Sequence, residues 1–186
     1  MKKAMMVLLI LVVAGSAVYA QGFLSYPPSL QPGNILIDAG VGWTFAPTIG
    51  ATITVPPVSL SLDYCLPVGV PVSIGVLFSV YQWQYSYTGF LPWTDVWTYA
   101  TGGARASWHF NLPVSQLDLY AGVFMGYTYF ASNTNRLTSL GYNPLNYGGL
   151  AYGGQVGAHF YFTRNLGLLV EAGYPFVARA GLALKF

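Results

Sequence analysis

Apolar and polar residues alternate along most of the chain after residue 33. Alternation of this kind predicts β-strands with two different faces, because successive side chains on a strand point to opposite sides. We predict eight strands, over residues 34–45, 57–66, 72–84, 96–110, 116–130, 148–162, 166–174 and 178–186. Since proline cannot donate to a strand ladder, we expect the prolines in leaders, loops and strand ends.

The connections between these strands differ in length. Those after the second, fourth and sixth strands are tight ("PVGVP", "NLPVS" and "TRN"), whereas those after the first, third and fifth are long. Outer-membrane barrels have this asymmetry, with short turns in the periplasm and longer loops outside. The pattern therefore predicts an all-β, eight-stranded antiparallel up-and-down transmembrane β-barrel with both termini on the periplasmic side.

The composition supports a membrane location. Charged residues make up 6% and hydrophobic residues 54% of the chain, whereas about a quarter of an ordinary globular domain is charged. After residue 20 no apolar run reaches about 18 residues, the length that a membrane helix requires. A closed β-barrel is the other architecture that satisfies its backbone hydrogen bonds within lipid.

The chain begins with a basic stretch, an apolar stretch and the small-residue sequence "SAVYA". This order is typical of a secretory signal peptide, which we expect to be residues 1–20, cleaved near Ala20. An N-terminal membrane anchor is the alternative, but the apolar stretch is short for one. Residues 21–33 then form a proline-rich periplasmic leader, and residues 34–186 form the barrel in the bacterial outer membrane.

The charged residues of the predicted strands share the face opposite the apolar one. Because Arg or Lys facing lipid costs about 2–4 kcal/mol near the bilayer midplane, this face is the interior. Together with two histidines of the same parity, these residues predict an interior charge network of Asp38, Asp63, Arg105, His109, Asp118, His159, Glu171, Arg179 and Lys185. We expect structural ion pairs of Glu171 with Arg179 and of Arg105 with Asp118, since each pair flanks one hairpin; a gated ion pathway is the alternative. Inward glycines would make room for large side chains from the opposite wall.

Aromatic residues gather near the strand ends, as expected at a lipid–water interface. One predicted belt is Trp108, Phe110, Phe160, Phe162 and Phe186, and the other is Trp43, Phe45, Tyr127, Tyr129, Tyr152 and Tyr174. A further set lies on the inward face near the outer end and could line an apolar mouth: Tyr81, Trp83, Tyr85, Trp97 and Tyr99, with Phe124 lower down.

Other classes of function find little support. The two histidines with nearby serines and carboxylates could suggest a hydrolase, but no substrate pocket is evident, so we expect no enzyme. Cys65 is the sole cysteine and the histidine spacing is unlike that of a zinc site, so no metal or other cofactor is predicted. Without Lys2 and Lys3, five basic residues balance five acidic ones, which disfavours nucleic acid as a partner.

The closing "ARAGLALKF" resembles the C-terminal signal of bacterial outer-membrane proteins. The stretches "GGARASWHF", "LDLYAGVFMGY" and "YGGQVGAHFYFTRNLGLLVEAGY" resemble strands of small eight-stranded barrels of the OmpX, OmpW and opacity-protein type. The resemblance implies that Phe186 is read by the barrel-assembly machinery. The family includes adhesins, structural barrels and proposed channels for small hydrophobic compounds.

Two functions therefore stay open. The first is a structural or surface-exposed barrel that presents loops 86–95 and 132–146 to host or matrix ligands, since function often resides in such loops. The second is a narrow OmpW-like channel for small hydrophobic solutes, which would use the aromatic mouth. Both share the lipid bilayer as a partner.

Overall fold

A computed structural model describes residues 27–45, 49–90, 92–134 and 145–186. The predicted signal peptide, residues 1–20, and residues 21–26 of the predicted leader lie outside these ranges. Much of the surface loop predicted over 132–146 does so too, since residues 135–144 are outside.

Eight strands form one closed antiparallel barrel, which confirms the predicted fold class. The strands are β1 (Ile35–Trp43), β2 (Thr52–Cys65), β3 (Val72–Tyr87), β4 (Trp93–Phe110), β5 (Leu117–Thr134), β6 (Asn146–Tyr161), β7 (Leu166–Gly173) and β8 (Phe176–Lys185). Each strand pairs with its neighbour in sequence, and β1 pairs with β8 to close the barrel. The turns after β2, β4 and β6 lie at the end that carries Asn34 and Phe186, which we call the terminal end. The opposite end is the loop end.

The start of β2 differs from the prediction because strand pairing there includes two prolines. β2 begins at Thr52 rather than at residue 57, so Pro56 and Pro57 lie inside a strand. The register of β2 with β3 shifts between Val55 and Val58, and such an irregularity tolerates residues that cannot donate to the ladder. Our expectation that every proline lies outside the strands or at their ends was therefore wrong.

The second difference concerns the hairpin of β3 and β4. These strands remain paired as far as Tyr87 and Trp93, so their connection is only residues 88–92. Half of the loop predicted over residues 86–95 is therefore strand. Side-chain hydrogen bonds support the extension on its outer face, where Gln82 Nε2 donates to Thr98 Oγ1 at 3.0 Å.

The two faces of the barrel wall separate as the alternation predicts. The exterior carries apolar side chains such as Leu62, Phe78, Met125 and Val170, which are between 47% and 69% exposed. Charged, polar and aromatic side chains of opposite parity point inward and are buried. No helix long and apolar enough to cross a membrane occurs in the part of the chain that the structure describes.

Most of the predicted belt aromatics lie on the exterior, but Tyr174 does not. Its ring lies 5.6 Å from the ring of the buried Phe124, and its hydroxyl is 3.1 Å from Thr128 Oγ1. Tyr174 follows a register shift between Ala172 and Gly173 in the β7–β8 pairing. Because a one-residue shift moves a side chain to the other face, the prediction that placed Tyr174 outward was wrong.

Candidate functional site

The centre of the barrel interior is occupied by the guanidinium group of Arg105 on β4. Its Nε lies 2.8 and 2.9 Å from the two carboxylate oxygens of Asp63, and Nη2 also contacts that carboxylate. Nη1 donates to Glu171 Oε2 at 3.1 Å, and Nη2 donates to Asp38 Oδ2 at 3.2 Å. One buried guanidinium thus bonds three carboxylates from three strands.

Gly75 makes the contact of Arg105 with Asp63 possible. The pairing places Gly75 on β3 between Asp63 on β2 and Arg105 on β4, all facing inward. A Cβ atom at Gly75 would overlap Asp63 Oδ1. The missing side chain therefore leaves the space in which the carboxylate and the guanidinium meet.

A second arginine pairs with Glu171, as their shared hairpin predicts. Arg179 Nε donates to Glu171 Oε1 at 2.7 Å and Nη2 donates to Oε2 at 3.0 Å, a two-pronged contact between registered neighbours on β7 and β8. Tyr120 OH donates to Glu171 Oε2 at 2.6 Å. Tyr120 was missed by the sequence analysis, although it has the same inward parity as Asp118. Its ring lies over Gly157, where a Cβ atom would be 2.5 Å from the hydroxyl.

The two histidines share the carboxylate of Asp118. His109 Nδ1 lies 2.9 Å from Asp118 Oδ1, and His159 Nδ1 lies 2.8 Å from Oδ2. His159 Nε2 is 3.3 Å from Asp38 Oδ1, which joins this group to the arginine cluster. Both ring nitrogens of His159 therefore face carboxylate oxygens, and an ionised carboxylate only accepts hydrogen bonds.

Two predicted members of the network have other partners. The predicted pair of Arg105 with Asp118 is wrong, because Arg105 is registered with Phe124, six residues or about 20 Å along β5 from Asp118. Lys185 lies below the network, near the terminal end. Its ammonium group donates to the main-chain oxygen of Ser29 and lies 4.2 Å from the centre of the Tyr161 ring.

Apolar layers lie on both sides of the network. Towards the loop end, buried Leu77, Phe124 and Ala151 pack together with Tyr174. Towards the terminal end, Leu30 of the leader packs into a buried cluster with Leu36, Cys65, Tyr120, Tyr161, Leu169 and Ala183. The side-chain oxygen of Ser29 also donates to the main-chain oxygen of Leu117 at 3.1 Å. Part of the predicted leader thus closes the terminal end of the interior.

Five of the six predicted mouth residues line the inner face of the extended β3–β4 hairpin. Tyr81 and Tyr99 stack at 4.8 Å between ring centres, and Tyr85 lies 6.5 Å from Trp97. Trp83 is 5% exposed. Phe124 does not belong to this group, since it lies in the apolar layer below.

Ser73, His109 and Asp118 have the hydrogen-bond order of a hydrolase triad. Ser73 Oγ lies 2.9 Å from His109 Nε2, and the opposite ring nitrogen contacts Asp118. All three are at most 1% exposed, so a substrate has no surface on which to approach the hydroxyl. Within the described ranges, no cluster of three His, Cys, Asp or Glu side chains is arranged to hold a metal ion.

No protein-family model matches this sequence, and no curated protein sequence matches it significantly. Solved structures share the fold at low identity. The outer membrane protein OprG from Pseudomonas aeruginosa is similar over 86% of this chain and 99% of its own, with a TM-score of 0.56 and 11% identity. Neisserial surface protein A matches over 82% and 96%, with a TM-score of 0.53 and 16% identity. Ail of Yersinia pestis, in complex with the heparin analogue sucrose octasulfate, matches over 84% and 100%, with a TM-score of 0.52 and 13% identity. This chain has the fold of small eight-stranded outer-membrane barrels.

Proposed function

We propose that this protein is an integral barrel of the bacterial outer membrane that presents its loop end to the outside and is not an enzyme. The observation that carries the proposal is a change along the exterior of β3. Ile74, Val76, Phe78 and Val80 are apolar, whereas the next outward residues are Gln82, Gln84 and Ser86. Since a polar outer face suits water rather than acyl chains, the hairpin beyond Val80 projects above the membrane.

The projecting wall consists of the ends of β3, β4 and β5 with the loop between β5 and β6. In this topology both termini lie in the periplasm, and Phe186, which is 62% exposed on the exterior, is available to the barrel-assembly machinery. Host or matrix components are the proposed partners of the projecting wall. A partner recognised by aromatic stacking fits best, because Tyr87, which is 45% exposed, stacks with Trp93 near the tip of this wall.

Binding of the purified, folded barrel to immobilised matrix proteins and glycans tests this role. We expect retention that is lost when residues 132–146 or the hairpin tip 88–92 are replaced by a short glycine-containing turn. Replacement of the terminal-end turn 111–116 is the matched control, and it should leave binding intact. Binding that survives both loop-end replacements would refute the assignment to this wall.

A narrow channel for small hydrophobic solutes is the second candidate, supported by the stacked rings of Tyr81 and Tyr99 and the neighbouring Trp83. The barrel interior below these rings disfavours the passage of a solute. It is filled in turn by an apolar layer, the charge network and the leader residues at the terminal end. Recordings in planar lipid bilayers should therefore show no conductance. A silent bilayer together with unchanged uptake in a deletion strain would dispose of the channel, whereas solute-dependent currents would establish it.

A further inference from the structure

A cavity of about 720 Å³ lies at the terminal end, outside the charge network. Leader residues form one side of it, and the turns 111–116 and 162–165 together with the end of β8 form the rest. Two cations, Arg164 and Lys185, line this cavity with the polar side chains of Gln116 and Asn165. No Asp or Glu side chain lines it.

These two cations differ from the arginines inside the barrel. Within the described residues, Arg105 and Arg179 each bond carboxylates, whereas neither Arg164 nor Lys185 forms an ion pair. Lys185 donates a hydrogen bond to the main-chain oxygen of Ser29. The other N–H groups of its ammonium group can therefore donate to a ligand. The main-chain oxygen of Phe186 already accepts hydrogen bonds from Ile35 N at 2.9 Å and Asn34 Nδ2 at 3.0 Å. The side chains that line the cavity therefore carry two positive charges and no negative one, and such a lining fits an anionic guest.

The position of the cavity identifies the kind of anion. Phe162 and Phe186 line it and are 53% and 62% exposed on the apolar exterior. The cavity therefore opens where the lipid-facing surface ends, which is the level of phospholipid headgroups. A phospholipid can place its phosphate at the cations while its acyl chains follow the exterior of β8, where Leu182 and Leu184 point outward.

We propose that this cavity binds the phosphate of an anionic phospholipid in the leaflet at the terminal end. The proposal rests on the membrane placement proposed above. It favours phosphatidylglycerol over a zwitterionic lipid, because the two cations oppose a choline or ethanolamine ammonium group. Basic residues near a membrane surface typically contribute about fivefold each to the binding of anionic lipid.

The test uses the full mature barrel, folded in detergent and analysed by native mass spectrometry with added dioleoyl phosphatidylglycerol or dioleoyl phosphatidylcholine. We expect preferential retention of phosphatidylglycerol, about fivefold weaker in Arg164→Gln and about 25-fold weaker in Arg164→Gln/Lys185→Gln. Lys185→Arg should retain binding because it keeps the charge. Arg136→Gln removes the same charge from the segment between β5 and β6 and is the matched control.

Three results would overturn the proposal. One is equal retention of the two lipids by the native protein, and another is unchanged preference in the double variant. The third is displacement of the lipid by inorganic phosphate at equal concentration, which would assign the cavity to a soluble anion. Folding is measured separately, by the mobility shift of unheated protein in gel electrophoresis. Failure to fold in any detergent or vesicle would contradict the proposed membrane barrel. A folded barrel without lipid preference would contradict only the proposed lipid site.

Discussion

Removal of the Arg105 guanidinium should destabilise the barrel strongly. In Arg105→Met, the carboxylate of Asp63 loses the Nε contacts at 2.8 and 2.9 Å, and it has no other ion pair among the described residues. Asp63 is 1% exposed, so its charge would stay buried without a partner. Breaking a buried pair by removing one member costs about 3–5 kcal/mol, and we expect a loss of unfolding free energy in that range.

The double variant Arg105→Met/Asp63→Asn separates the cost of an orphaned charge from that of lost packing. Because no unpaired carboxylate remains at position 63, it should recover a substantial part of the stability that Arg105→Met loses. The assay is urea unfolding in phospholipid vesicles, followed by tryptophan fluorescence, with Arg164→Met as a control for loss of an exposed arginine. A loss below about 1 kcal/mol in Arg105→Met, or strict additivity in the double variant, would refute the structural role of the network.

Three further predictions follow from the packing of the interior. Gly75→Ala should weaken the barrel, because an added Cβ would overlap the main-chain oxygen of Leu62 and the carboxylate of Asp63 that binds Arg105. Gly149→Ala should not, since its added methyl group would have nothing within 4 Å, and equal urea midpoints for the two variants would contradict the role of Gly75. Leu30→Asp should lower the urea midpoint because it places a charge in the buried cluster at the terminal end, and an unchanged midpoint would show that the leader does not close the interior. A fluorophosphonate probe should leave Ser73 unmodified in the folded barrel. If the probe labels the native protein but not Ser73→Ala, the proposal that the protein is not an enzyme is contradicted.

The alternation of side chains predicted most of the fold because a strand has only two faces. The inward parity of Asp38, Arg105 and Glu171 could be read directly from the sequence. The exceptions are places where the ladder is irregular. The register shift after Ala172 turned Tyr174 inward, and the one between Val55 and Val58 admitted two prolines into β2.

The partners of the inward charges were harder to predict. Parity assigns a side chain to the interior, but the contact across the barrel depends on the stagger of all eight strands. Arg105 therefore reaches Asp63 over Gly75 and Glu171 across the interior, rather than Asp118 on the next strand. The burial of Leu30 had no periodic signal, because the leader is not a strand.

A nitroxide scan along β3 in phospholipid vesicles tests directly whether one face of the barrel wall lies in lipid. Single cysteines at positions 74 and 76 to 79, in a Cys65→Ser background, would carry the label, and its collision rate with oxygen dissolved in lipid would be measured by electron paramagnetic resonance. We expect high rates at Ile74, Val76 and Phe78 and low rates at Leu77 and Ser79. Uniform rates, or high rates at the second set, would contradict a wall with one face in lipid and the other in a packed polar interior.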